Sequence, residues 1–177
     1  MALVTALLAY PVLNVADIGM YAYQSMQVAN AAQAGARAAW SQCNASTTWP
    51  ATYKCSTSSS THGDLLTTAV SGIAGIQSTT LGSNVTLVSG YPKEGYYCAT
   101  TTNALTLAPG PAVSAGATPN KSSDCSGVAN AALATAVPGD YVSVSVTFTY
   151  TPLFTGVPTV ASLLTSPITS TAWQRMT

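Results

Sequence analysis

The first 41 residues contain only two charged side chains, Asp17 and Arg37, and this constrains the fold more than any other feature of the sequence. The segment is rich in Ala, Leu, Met and Gln, which favour the helical conformation. A helix over residues 1–41 is roughly 60 Å long, whereas the mean helix of a globular protein has about 11 to 12 residues. A helix of that length has to be buried against more than its own small domain. We therefore predict an N-terminal helix over 1–41 and a head over 42–177.

Residues 1–25 of this helix fit either a membrane anchor or a helix packed among copies of itself. A cleavable secretory signal would place a basic residue before its apolar block, and the first basic residue here is Arg37. A transmembrane helix needs about 20 apolar residues, and Asp17 falls at the edge of such a span. Pro11 removes a backbone donor and is expected to bend the helix near its start. The sequence leaves the membrane and the homopolymer interpretations open.

Small residues recur with fourfold spacing in the second part of the helix, at Ala31, Gly35 and Ala39. This spacing places them on one helix face as a smooth ridge, which allows another backbone to approach closely. The ridge predicts either a contact with a helix of another copy or the packing of residues 28–40 on the chain's own sheet. Both interpretations remain open from the sequence.

Charged residues make up only 6% of the chain, with five basic and five acidic side chains, against about 25% in a typical soluble domain. The basic residues are scattered and form no stripe that could neutralise phosphates, which excludes nucleic acid as a partner. One histidine, His62, and five carboxylates supply too few groups for a catalytic or metal site. We therefore expect no enzyme, no metal and no cofactor, and we interpret His62 as a loop residue.

Four cysteines without any CxxC pair indicate a disulfide framework rather than a zinc or thioredoxin-type redox site. Of the three possible connectivities, sequential pairing closes the shortest loops and matches the two loop-rich regions. It joins Cys43 to Cys55 and Cys98 to Cys125. Disulfides persist in oxidising compartments, so the head is expected to lie outside the cytosol.

The sequence also contains three N-glycosylation triplets, which begin at Asn44, Asn84 and Asn120. Such triplets arise by chance in a chain this rich in Asn, Ser and Thr. We assign them no role unless the source organism glycosylates its proteins.

The head combines a second short helix with antiparallel strands. Asp64 precedes apolar residues at helical spacing over 65–76 and is predicted to cap that helix. Valine and phenylalanine alternate with serine and threonine over 141–150, which is typical of a half-buried strand. Weaker strand signals lie at 84–89 and 96–101. The predicted fold class is therefore α+β.

Two regions of the head have no clear pattern of regular structure. Residues 103–140 are rich in Ala, Pro, Gly and Ser, and we interpret them as long loops held by the second disulfide. The segment 152–177 contains prolines between short apolar stretches, and the sequence supports no firm assignment there.

Five segments, taken in order, resemble TadE-like pilins and pseudopilins of the tight-adherence branch of the type IV pilus superfamily. The resemblance spans nearly the full length of the chain, and no single segment carries it. The segments are MALVTALLAYPV at 1–12, DIGMYAYQS at 17–25, AAQAGARAA at 31–39, GDYVSVSVTFTYTPL at 139–153 and TSTAWQRM at 169–176.

This resemblance implies a prepilin that a prepilin peptidase processes, so that Met1 becomes the first mature residue. It also implies storage in the inner membrane and extraction by assembly machinery into an extracellular filament. Pro11 matches the family pattern, but Thr5 stands where the family has a glutamate that offsets the amino terminus of a neighbouring subunit. We therefore expect Asp17 to take over part of that role. Its carboxylate would accept hydrogen bonds from, or form an ion pair with, the Met1 amine, Arg37 or tyrosines of an adjacent copy. The alternative is that Asp17 is a solvated residue at the membrane edge.

The function expected from these observations is that of a structural pilin, a homopolymer used in surface attachment. The residues expected to act in assembly are Met1, Thr5, Pro11, Asp17, Ala31, Gly35, Arg37 and Ala39. One alternative is a minor or priming pseudopilin at the pilus base. Another is a membrane-anchored binding module that recognises a ligand through loops 103–138.

Overall fold

The computed structural model describes residues 2–45, 47, 49–58, 60–77, 85–108, 110–152, 154, 164 and 166–176, with the backbone alone for 2–10, 76 and 77. The predictions for Met1, the Thr5 side chain and Asn84 fall outside these described parts. Within them the chain is an α+β protein with a long N-terminal helix, a second helix and an antiparallel sheet. The predicted fold class is confirmed.

The N-terminal helix, α1, runs from Ala2 to Cys43 and continues through Pro11. It is two residues longer at its end than the sequence predicted. A one-turn helix, α2, follows at Ala51–Lys54, and α3 spans Asp64–Gln77. The Asp64 carboxylate accepts hydrogen bonds from the backbone N–H and hydroxyl of Thr57 and from the N–H of Leu65, so it ties the start of α3 to the preceding loop.

Six strands of the described chain form the sheet, and all of their pairings are antiparallel. These strands are β1 Thr86–Leu87, β2 Lys93–Ala99, β3 Leu105–Leu107, β4 Val113–Ser114, β5 Gly139–Phe148 and β6 Ile168–Arg175. The central strand, β5, pairs with β6 along one side and with β2 and β1 along the other. Strands β3 and β4 both pair with β2.

Two of these strands correct the interpretation of residues 103–140 as loops only. They are β3 and β4, which are three and two residues long and too short to produce an alternating pattern. A third, β6, lies in the segment that the sequence left unassigned, and it pairs with β5 from Tyr141↔Arg175 to Phe148↔Ile168.

The core lies between the sheet and the two longer helices. Alternate residues of β5, from Val142 to Phe148, face α1 and α3, and they pack there with Leu66 and Val70 of α3. The helix α1 contributes mainly small side chains to this core, namely Val28, Ala31, Ala32, Ala36 and Ala39. Because these side chains are short, the helix backbone lies close to the sheet.

The two disulfides join Cys43 to Cys55 and Cys98 to Cys125. The sequential pairing predicted from the sequence is confirmed. The first bridge connects the end of α1 to the residue that follows α2, and the second connects β2 to the loop between β4 and β5. Both therefore hold segments with little regular structure onto the main core.

Gly35 marks the closest approach of α1 to the head. A Cβ atom at this position would lie 3.2 Å from Val144 Cγ1 and 3.3 Å from Val70 Cγ1. Gly35→Leu is expected to destabilise the fold by about 3 kcal/mol, because overpacking a close-packed core forces side chains and backbone to shift. Thermal unfolding measured by circular dichroism tests this value.

The matched control for this substitution is Gly75→Leu in α3, where a Cβ would have no described atom within 4 Å. That variant is expected to unfold at or above the wild-type temperature, because leucine has the higher helix propensity. Equal midpoints for the two variants would contradict the close packing at Gly35.

Candidate assembly surface on the N-terminal helix

An exposed apolar face covers the part of α1 between residues 11 and 26. Val12 and Val15 are each 67% exposed and Met26 is 60% exposed, although all three side chains are apolar. Together with Gly19 and Ala22 they recur at intervals of three and four residues, which places them on one stripe of the helix. Monomeric soluble proteins rarely leave a contiguous apolar patch of this kind uncovered, so it is the first candidate for an interaction surface.

The opposite side of this segment is held against the head by Tyr150. The hydroxyl of Tyr150 lies 3.2 Å from the backbone oxygen of Asp17 and 3.5 Å from its Oδ1 atom, and donates to both. The ring of Tyr150 meets the ring of Tyr21 edge-on at 5.2 Å. The head therefore fixes which side of the helix is covered and which side is exposed.

Asp17 is only 4% exposed, so the interpretation as a solvated residue is wrong. A tyrosine of the same chain, Tyr150, donates to it, and the expected contact with an adjacent copy stays a prediction. Asp17 is the one charged residue between 11 and 26. Because its carboxylate is buried, the exposed face carries no charge.

The structure separates the remaining predicted assembly residues into two groups. Ala31, Gly35 and Ala39 are buried in the chain's own core, which is the second of the two alternatives for the small-residue ridge. Pro11 and Arg37 are exposed. Arg37 lies between two grooves, one between α1 and β6 and the other between α1 and α3.

A membrane anchor is the other interpretation of residues 1–25. Among the residues that the structure describes, no helix has both the length and the apolar character needed to cross a bilayer.

Sequence reasoning missed a pair of buried carboxyl groups in the head. Glu94 on β2 is fully buried, and its carboxylate accepts the N–H of Ala51, the N–H of Thr52 and the hydroxyl of Thr52 at 2.6–2.9 Å. These donors include the first backbone N–H groups of α2. The carboxylate therefore caps α2 and ties it to the sheet.

The second buried carboxyl belongs to Asp140, whose Oδ1 atom has no hydrogen-bond partner among the described residues. Burial, the neighbouring charge of Glu94 and a hydrogen bond with Glu94 raise the pKa of Asp140 to about 8, and the charge of Lys121 opposes this shift. The sequence contains one signal for the burial of Asp140. Alternate residues of β5 face inward, and Asp140 lies two positions before the inward-facing Val142, so the same alternation predicts that Asp140 faces inward.

A cavity of about 210 Å³ adjoins this pair and is lined by Trp49, Pro50, Tyr96, Lys121, Pro138 and Asp140. No group of three or more His, Cys, Asp or Glu side chains suited to a metal ion occurs in the described parts of the chain. His62, in a loop as predicted, stacks on Tyr53 at 3.9 Å. Glu94 therefore holds α2 on the sheet, and Asp140 lines the cavity beside it.

The chain matches no protein-family model, no curated protein and no solved structure. The resemblance to TadE-like pilins accordingly rests on the sequence segments alone. The function has to be argued from the geometry of α1 and the head.

Proposed function

We propose that this protein is a structural subunit of an extracellular filament, a pilin of the TadE-like type. The observation that carries the proposal is the exposed, uncharged apolar face of α1 between residues 11 and 26. Covering this face requires another apolar surface, and in a homopolymer each copy supplies one. The resemblance of the sequence to TadE-like pilins supports the same conclusion independently of the geometry.

The energetics of this face favour association. Full burial of a Val, Ile or Met side chain is worth about 1.5 to 3 kcal/mol, and Val12, Val15, Ile18 and Met26 are all exposed. No charge has to be removed from water when the face is covered, because Asp17 is already paired within the chain. A helix packed among other copies therefore gains apolar burial without the large cost of burying an ion.

The head suits the outside of such a filament. Its two disulfides are of the kind that persists in oxidising compartments. The further parts of the proposal come from the resemblance: processing by a prepilin peptidase, an inner-membrane pool, assembly by dedicated machinery, and a use in surface attachment. None of these requires a catalytic group, a cofactor or a nucleic acid.

The proposal is tested by electron microscopy of the purified full-length chain. The protein is kept apart in detergent, the detergent is then removed, and the sample is negatively stained. We expect filaments of regular repeat. A sample that stays monodisperse at all protein concentrations after detergent removal would contradict the proposal.

A second measurement separates a major pilin from the alternative of a minor subunit at the pilus base. Filaments sheared from the cell surface are dissolved, and the copies of this chain are counted by quantitative mass spectrometry. A major pilin is expected to account for most of the protein mass in the filaments. A few copies per filament would favour the minor-subunit alternative.

A further inference from the structure

A groove between α1 and α3 is a further uncovered apolar surface among the described residues. It has a volume of about 690 Å³. Ala38 is buried at its floor, with Ala34 and Ala69 half-buried beside it. The exposed side chains along it include Trp40 and Ile73, which are 45% and 38% exposed. The floor is shallow because its residues are small, so a second helix can approach closely.

Gly72 in α3 lines this groove. A Cβ atom at Gly72 would have no described atom within 4 Å, so nothing described in the chain's own fold requires glycine there. Glycine in a helix interior is less favourable than alanine, because it loses more conformational freedom on folding. A glycine that lines a groove and has open space around it leaves room there for the backbone of another molecule.

The exposed face of α1 contains a second glycine with the same property. Gly19 lies between Val15 and Ala22 on the exposed stripe, and a Cβ there would also have no described atom within 4 Å. The exposed face of α1 and the groove thus each contain a helix glycine at which a Cβ would meet no described atom. Small residues at a helix crossing let the two backbones come into contact.

We propose that residues 11–26 of one copy dock into the groove between α1 and α3 of the next copy, with Gly19 crossing near Gly72. This inference rests on the proposed homopolymer and names the surfaces through which it forms. The occupant is a second copy because the chain itself offers a helix face of matching apolar character. That face and the groove lie on separate parts of α1, so both are available on every copy.

The charges at the two surfaces are compatible with this contact. The docking face carries none, and the lining of the groove carries one, Arg37. Arg37 is exposed, and its long side chain can keep the guanidinium in water while its stem covers apolar surface. No pair of like charges is brought together.

The contact is heterologous, because the two surfaces that meet are different. A heterologous contact that does not close into a ring generates an open helical filament. Gly19 lies 19 residues before Ala38 at the floor of the groove. If the helices run parallel, successive copies are displaced by roughly 28 Å along the helix axis.

The first test fills the groove with the variant Gly72→Leu. The open space at Gly72 lets the monomer accept leucine, so thermal unfolding is expected to stay at or above the wild-type midpoint. The critical concentration for assembly, measured by sedimentation and checked by electron microscopy, is expected to rise about tenfold or more, which corresponds to a loss of about 1.4 kcal/mol per subunit contact. The matched control is Gly75→Leu, at an open glycine of the same helix that does not line the groove. Its filament yield is expected to stay at the wild-type level.

The second test locates the docked segment directly. Ile73 is replaced by p-benzoylphenylalanine, and these chains are assembled with isotope-labelled wild-type chains and irradiated. We expect cross-links from position 73 to residues 11–26 of a labelled chain. Cross-links to the head of a second copy would overturn the docking while leaving the homopolymer intact. The absence of any assembly by either chain would overturn both proposals.

Discussion

Val15→Asp is expected to abolish filament formation and to leave the head folded. Val15 is an exposed residue of the free chain, so the new carboxylate is hydrated there and costs little. In the filament the same position is covered, and burial of an unpaired charge costs several kcal/mol per copy. Because every subunit contact carries this cost, assembly should fall below detection in sedimentation and electron microscopy.

The matched control places the same charge elsewhere on the same helix. Asn30 is exposed and lies about one helical turn beyond Met26, past the end of the apolar stripe, so Asn30→Asp changes the net charge equally and is expected to assemble. Circular dichroism and the intact Cys43–Cys55 bridge show whether both variants are folded. Wild-type filament yield from Val15→Asp would mean that the face between residues 11 and 26 is not an assembly surface.

The elements that the sequence predicted well are those with strong local signals. The near absence of charge over the first 41 residues indicated α1, and the alternation of valine with serine indicated β5. The sequential disulfides followed from the loop-rich stretches that they close. In each case the information lies within one segment of the chain, and no distant contact is needed to interpret it.

The edge strand β6 was missed because its inward-facing residues are small or polar. Ser170, Ala172 and Gln174 face α1, so the strand lacks the alternation of apolar and polar residues that reveals β5. A tightly packed helix of small residues can cover such a strand, but the sequence of the strand alone does not show it. Its assignment depends on pairing with β5 along its whole length.

The assembly surface was only partly predictable for a similar reason. A ridge such as Ala31, Gly35 and Ala39 has the same pattern whether it packs on the chain's own sheet or on another copy. The structure places the ridge in the chain's own core and leaves the stripe around Gly19 exposed. Tyr150, which donates to Asp17, is 133 residues away along the chain, so no local pattern indicates that contact.

The buried carboxyl of Asp140 is expected to make the stability of the head fall as the pH rises. In the folded protein the pKa of Asp140 is about 8, against 3.8 for the unperturbed group. Between these values the folded state holds a proton that the unfolded chain has released. The free energy of unfolding therefore decreases from about pH 4 to pH 8.

Asp140→Asn is expected to remove this slope, because an amide stays neutral at every pH and can still donate a hydrogen bond to Glu94. One pKa unit corresponds to about 1.4 kcal/mol. The shift from 3.8 to about 8 spans about four pKa units, so at pH 8 the variant should be more stable than the wild type by on the order of 5 kcal/mol. Near pH 4 the two proteins should be of similar stability. Urea unfolding at a series of pH values measures the difference.

The control for this measurement is Asp124→Asn. Hydrogen bonds from Ser126 lower the pKa of Asp124, so this carboxylate favours the folded state as the pH rises, the opposite sign to Asp140. Its removal should leave the decline between pH 4 and 8 in place. If Asp140→Asn kept the wild-type slope, Asp140 would have to be ionised in the folded head. In that case the negative charges of Asp140 and Glu94 would both have to be compensated, and Lys121, which lines the same cavity, is the nearest candidate for that role.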